Sequence, residues 1–197
     1  MALMKRVEKD VVSNSLYFLR HAETTIDHSL PAYDWSITHN GLQRARELAK
    51  SDVFGRIEGI VHSSEKKARQ TADVFAKELA VDIYEIPELG ELKRHHGELL
   101  SNQEYRSLVR ETLTDWDHNV RDWESGAEAL RRFAEGVKRI NIMFYSRNIL
   151  VVSHGLVLTL YFCQLRNFQS IAYERWTQMP FLAWGLVRDG RVLIDIL

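Results

Sequence analysis

An α/β fold is predicted: a three-layer sandwich with a mostly parallel sheet and helices on both faces. Three observations predict it. From Ser15 onward, short apolar runs alternate with amphipathic segments. The runs have strand length and bulky residues, while the segments between them repeat apolar residues at helical spacing. Two runs end abruptly in reactive residues, Arg20-His21 and His154, where buried strands usually end in turn formers.

Residues 1–14 are polar and mixed, a lead-in to a single domain over 15–197. "SLYFL" at 15–19 is the first strand. In "SITHNGLQRARELAKS", Leu42, Ala45, Leu48 and Ala49 share one helical face, and Thr38 is a start signal. "EGIVHSS" reads as a second strand, followed by a helix with the stripe Ala68, Ala72, Phe75 and Leu79. "VDIYEI" alternates as a third strand and ends at Pro87.

From Glu88 to Glu124 the chain turns polar and aromatic, with Tyr105, Leu108, Val109, Leu113 and Trp116 at helical spacing. This segment is expected to be a small, mostly helical insertion over the carboxyl edge of the sheet. "SGAE" at 125–128 is a capping box. It opens a helix carrying Leu130, Phe133, Val137, Ile140 and Phe144. "ILVVS" is a fourth strand, "GLVLTLYFCQL" a largely buried helix, and "LAWGLVRDGRVLIDI" a hairpin turning at Asp189-Gly190.

The 197 residues are 45% hydrophobic and 27% charged, an ordinary globular balance. A net charge of −1 gives no general attraction to nucleic acid or to anionic membranes, so an anion site must come from local clustering of Arg and His. No apolar run approaches the roughly 18 residues needed to span a bilayer. The single cysteine, Cys163, forms no internal disulfide and fits a reducing, cytoplasmic setting.

In such sheets ligands bind beyond the carboxyl ends of the strands. Arg20, His21, Ser63, Ser64 and His154 all follow strand ends, and Arg69 stands a little over one turn into the helix after Ser64. Guanidinium forks suit phosphate oxygens, and the "SHG" turn entering a helix offers backbone N–H groups to an anion. A neutral histidine there can attack phosphorus, and the neighbouring cations favour its neutral form. The leaving alkoxide needs a proton donor, which a carboxyl group can supply.

"LRHAET" resembles the LRHGET signature of the histidine phosphatase superfamily, the phosphoglycerate mutase-like group. "ITHNGLQRA", "VHSSEKKARQTA" and "VVSHG" resemble its further segments, in its order, from about Leu16 to about Leu160. The resemblance implies a metal-independent phosphatase without cofactors, acting on a small phosphorylated substrate through a phosphohistidine at His21. Arg20, Arg69 and His154 would hold the phosphate. Glu91 in "PELGELKRHHGE" would be the general acid, with Glu88 and Glu98 as neighbouring alternatives. Ala22 replaces the glycine common after the nucleophile, and Asp27 stands where many members have Asn. The shortness of the 88–124 region favours hydrolysis over a mutase-type isomerisation; a non-catalytic phosphate-binding protein is the third reading.

Other candidates have simpler roles. His95 and His96 lack zinc-site spacing and read as rim or surface residues. Ser63 and Ser64 read as turn and cap residues, Glu124 and Ser125 as the start of a helix, and Cys163 as inert in an apolar helix.

Overall fold

In the computed structural model, which describes residues 13–94 and 100–197, the first apolar run becomes β1 (Ser15–Arg20). It pairs in parallel with β4 (Asn148–Ser153), which pairs in parallel with β2 (Gly59–His62); β2 in turn pairs with β3 (Ile83–Glu85). On the other side of β1 runs antiparallel β5 (Trp184–Arg188), followed by β6 (Arg191–Ile194). The six-stranded order is β3-β2-β4-β1-β5-β6. The turn before β6 uses Asp189 at φ 53° and Gly190 at φ 68°. Two successive left-handed residues match the right-handed twist of a tight hairpin.

Both faces of β1 are buried, so its apolar residues divide by parity. Leu16 and Phe18 join Phe133, Ile140, Val151, Leu160 and Phe162 in one core. Tyr17 and Leu19 join Ala45, Ala72, Phe75, Leu150 and Val152 in the other. Phe18, Leu19 and Phe75 are wholly buried, each worth about 1.5–3 kcal/mol of transfer free energy. Helices α1 (His39–Ala49) and α2 (Lys66–Leu79) cover the second face. Helices α3 (Asn102–Thr114), α4 (Gly126–Met143), α5 (Gly155–Arg166) and α6 (Ala172–Gln178) lie on the first.

The start signals act as their chemistry dictates. Thr38 Oγ1 accepts from the Gly41 amide at 2.8 Å, and Ser125 with Glu128 forms a complete capping box. Ser101 and Glu104 make a second box at α3. The 88–124 region is less helical than its apolar spacing predicts. Pro87–Leu89 forms a 3-10 turn, and α3 stops at Thr114 because Asp115 is extended at φ −124°, ψ 101°. Trp116 therefore lies beyond the helix and packs on Gly126, where an added Cβ would meet it at 3.2 Å. Among the described residues, no helix is long and apolar enough to cross a membrane.

Candidate active site

The register of the two central strands builds the site. Arg20 lies opposite Ser153, so the next residues, His21 and His154, leave the sheet side by side. The His21 amide donates to the Ser153 carbonyl at 2.9 Å, and the two rings stand 5.1 Å apart between centroids. That separation admits one phosphate group touching both.

The His21 tautomer follows from its partner. His21 Nδ1 lies 2.8 Å from the Ala22 carbonyl, which can only accept, so Nδ1 carries the proton and Nε2 keeps its lone pair. His154 Nε2 lies 2.6 Å from Ser63 Oγ. Ser63 Oγ also accepts from the Glu65 amide at 3.3 Å. His154 Nδ1 is buried and without a hydrogen-bond partner among the described residues. Arg20 Nε is in the same condition. An orphaned buried donor such as Arg20 Nε is costly, and an oxyanion supplies the acceptor it lacks.

Arg20 is held by its surroundings. One Nη donates to the Met179 carbonyl, and the guanidinium lies 4.4 Å from the Phe181 ring centroid. It also covers Gly155, where a Cβ would approach Nε to 3.3 Å. The glycine therefore lets the cation lie against the start of α5. Burial pushes His21 well below the usual histidine range, and His154, Lys67 and Arg20 push the same way. Burial does the same to His154, with Lys67, Arg94, Arg132 and Arg20 adding to it. Both rings are thus neutral near pH 7, as a nitrogen nucleophile requires.

Arg69 is not among the groups brought together. It lies exposed on α2. The cation that α2 turns inward is Lys67, only 5% exposed, whose Nζ donates to the Ala32 carbonyl at 2.7 Å and to Glu65 Oε2 at 2.5 Å. Lys67 precedes Thr71 and Phe75 by four and eight residues, which places it on the buried stripe; Arg69, two residues on, is turned about 200° around the axis from Lys67. That periodicity was a usable signal for Lys67. Thr71 Oγ1 accepts from the Ala22 amide at 3.0 Å and ties the same helix to the residue after His21.

Glu91 reaches the site by a different route from the one the "SHG" turn suggests. Its Oε1 accepts from the amides of Leu92 and Val157 at 3.0 and 3.1 Å, and its Oε2 from that of Leu156 at 3.1 Å. The amides of Leu156 and Val157 at the start of α5, expected to face a bound phosphate, therefore serve this carboxylate. Glu88 turns away toward α4, lying against Gly136 and 3.5 Å from Arg139. Glu98, His95 and His96 lie outside the described residues. Asp27 is exposed and bonds Ser29 in its own turn, through the amide at 2.9 Å and the hydroxyl at 2.6 Å.

Arg132 and Glu124 were not singled out together by the sequence. Arg132 donates to the Glu88, Gly90 and Glu91 carbonyls at 2.8, 2.9 and 3.0 Å, and grips both Glu124 oxygens at 2.9 and 2.7 Å. The loop that presents Glu91 is thereby fixed to α4. Glu124 also accepts from the Lys93 amide at 3.0 Å, a role beyond helix initiation.

Comparison with known proteins agrees with the fold. An adenosylcobalamin/alpha-ribazole phosphatase of Escherichia coli K12 is 28% identical over 160 residues, 76% of this chain and 78% of that protein. The solved structure of Bacillus stearothermophilus YhfR is 20% identical with a TM-score of 0.73, covering 92% of this chain and 95% of that one. A phosphoserine phosphatase of Entamoeba histolytica is likewise 20% identical with a TM-score of 0.71, covering 92% and 94%. Since the model of the histidine phosphatase superfamily (branch 1) matches residues 16–185, most of the chain and both histidines, the protein belongs to that superfamily.

Proposed function

We propose that this phosphatase hydrolyses phosphate monoesters in two steps through a phosphohistidine at His21. The observation that carries the reading is the free lone pair of His21 Nε2 beside two buried nitrogens without partners, Arg20 Nε and His154 Nδ1. In the first step Nε2 bonds to phosphorus as the ester P–O bond breaks. Arg20, His154 and Lys67 stabilise the charge on the transferring oxygens. Glu91 gives its proton to the leaving alkoxide, then takes one from water, which attacks phosphorus as the P–N bond breaks. His21 returns to its neutral form and inorganic phosphate leaves. No metal or cofactor takes part in this scheme.

The substrate is a small phosphorylated molecule, the class named for the relatives above. Residues 15–197 act as one unit, with 88–124 as the cover that contributes Glu91, and 1–14 as a lead-in. A cytoplasmic setting suits the one cysteine, Cys163, which is buried and unpaired. Mutase activity would share the first half-reaction and differ in passing the phosphoryl group to a second hydroxyl.

The test is rapid acid-free quenching of the enzyme with a 32P-labelled ester, chelator present, for wild type and His21→Ala. Labelled protein and release of inorganic phosphate are expected from the wild type alone. Full turnover by His21→Ala, or an isomeric ester as the product, overturns the hydrolytic phosphohistidine scheme. Binding without turnover of any ester favours the non-catalytic reading.

A further inference from the structure

The phosphate pocket contains an anion of its own. Glu65 caps α2 without using its side chain as the cap. Its carboxylate instead points inward and connects three segments remote in sequence. Oε2 pairs with Lys67 Nζ at 2.5 Å, Oε1 accepts from the Glu91 amide at 2.7 Å, and Oε1 lies 3.4 Å from His154 Nε2. Arg94 also lies within its electrostatic reach. The side chain of Glu65 is 14% exposed and that of Lys67 6%. A carboxylate this close to the cations that receive phosphate opposes the binding of a second anion.

We infer that Glu65 is a built-in counter-anion that shares Lys67 with bound phosphate and so weakens retention of the inorganic phosphate product. The inference rests on the phosphate pocket described above. In the empty pocket, Glu65 offsets the charge of Lys67 and avoids an unpaired buried ammonium. When phosphate occupies the pocket, Lys67 donates to both anions, and their repulsion raises the free energy of the bound state. The lysine has three donors for this division: the Ala32 carbonyl takes one and Glu65 another, leaving one for phosphate. Departure of phosphate returns Lys67 wholly to Glu65.

Glu65→Gln tests this directly, because an amide oxygen can still accept from the Glu91 amide while the charge is removed. Binding of inorganic phosphate is measured by titration calorimetry at fixed pH and ionic strength, with thermal melting to verify folding. Glu65→Gln is expected to bind phosphate about tenfold more tightly than wild type, the scale of one close like charge in a partly solvated site. Lys67→Met is expected to weaken binding and to abolish the gain from Glu65→Gln in the double variant. Unchanged or weaker binding by folded Glu65→Gln overturns the inference, as does retention of its gain without Lys67. A second arm keeps the carboxylate in place. Lys67→Arg, whose fork can serve both anions, is expected to tighten phosphate binding several-fold, and failure to do so also counts against the inference. Ester turnover is assayed in parallel. Turnover with unaltered phosphate affinity removes the counter-anion alone, whereas tightened affinity without turnover removes the phosphatase scheme and leaves the counter-anion standing.

Discussion

Replacing Arg132 by Ala cuts a joint between α4 and the loop that carries Glu91. Five hydrogen bonds are lost, two to Glu124 and three to the carbonyls of Glu88, Gly90 and Glu91. The paired side chains are only 14% and 11% exposed, so the remaining Glu124 carboxylate is left largely buried without its cation. Breaking a buried pair from one side costs about 3–5 kcal/mol. Each stranded carbonyl would add about 1–3 kcal/mol if water could not reach it, but the half-buried loop can relax toward solvent, so the lower figure is the better guide. A loss of about 3–4 kcal/mol corresponds to a fall of about 10 °C in melting temperature for a chain of this size. Urea unfolding of wild type and Arg132→Ala measures the loss, and ester turnover well below the melting temperature measures the effect on the site. The expected kinetic signature is a fall in kcat greater than the rise in KM, since Glu91 is displaced while Arg20 and His154 are untouched. Destabilisation below about 1 kcal/mol with unchanged kcat would refute the claim that this clamp positions Glu91.

Three other outcomes follow from the same geometry. His21 and His154 are both held below their usual value of 6.5, so the unfolded chain binds more protons than the folded one as pH drops under 6.5. Stability should therefore decline as pH falls through that value, while the acid limb of kcat/KM attributable to His21 should lie below it; an activity loss centred at or above 6.5 contradicts a neutral buried nucleophile. Arg69→Ala should leave phosphate binding and turnover within about twofold of wild type, because an exposed charge contributes little, whereas Lys67→Met should reduce kcat/KM by at least about a hundredfold, comparable to loss of one oxyanion donor; steady-state kinetics on the pair decides between them. Gly155→Ala should push Arg20 aside, since the new Cβ would lie 3.3 Å from its Nε and Cζ, and raise the inhibition constant for vanadate several-fold with little change in melting temperature.

Much of the sheet was legible because its strands are short, apolar and bounded, and because β1 and β4 are buried on both faces. The rule that ligands gather beyond strand carboxyl ends was enough to bring His21 and His154 to one edge before their register was known. The end of α3 was harder. Trp116 follows Leu113 by three residues and looks helical, yet its place is fixed by packing on Gly126, ten residues later. The clamp of Arg132 on Glu124 was equally hidden, since Glu124 alone reads as the start of a helix and Arg132 stands eight residues later within it.

The exchange of Lys67 for Arg69 shows where motif reasoning and helical periodicity give different answers. Reading "SSEKKARQTA" for its arginine selects Arg69, whereas reading it by the apolar stripe selects the face of Lys67, Ala68, Thr71, Ala72 and Phe75. The general tendency of lysine to remain in water argues against burying it. Here Glu65, two residues earlier, and the Ala32 carbonyl supply its partners, and that pairing makes burial tolerable. A carboxylate beside a lysine is not by itself a signal, and only the fold reveals that both point inward. The same pairing has a chemical consequence: a site with net cationic character in a chain of net charge −1 must limit its own affinity for phosphate if product is to leave. The local sequence "EKK" thus bears on both stability and release, through one buried ion pair whose two members stand at the first turn of α2.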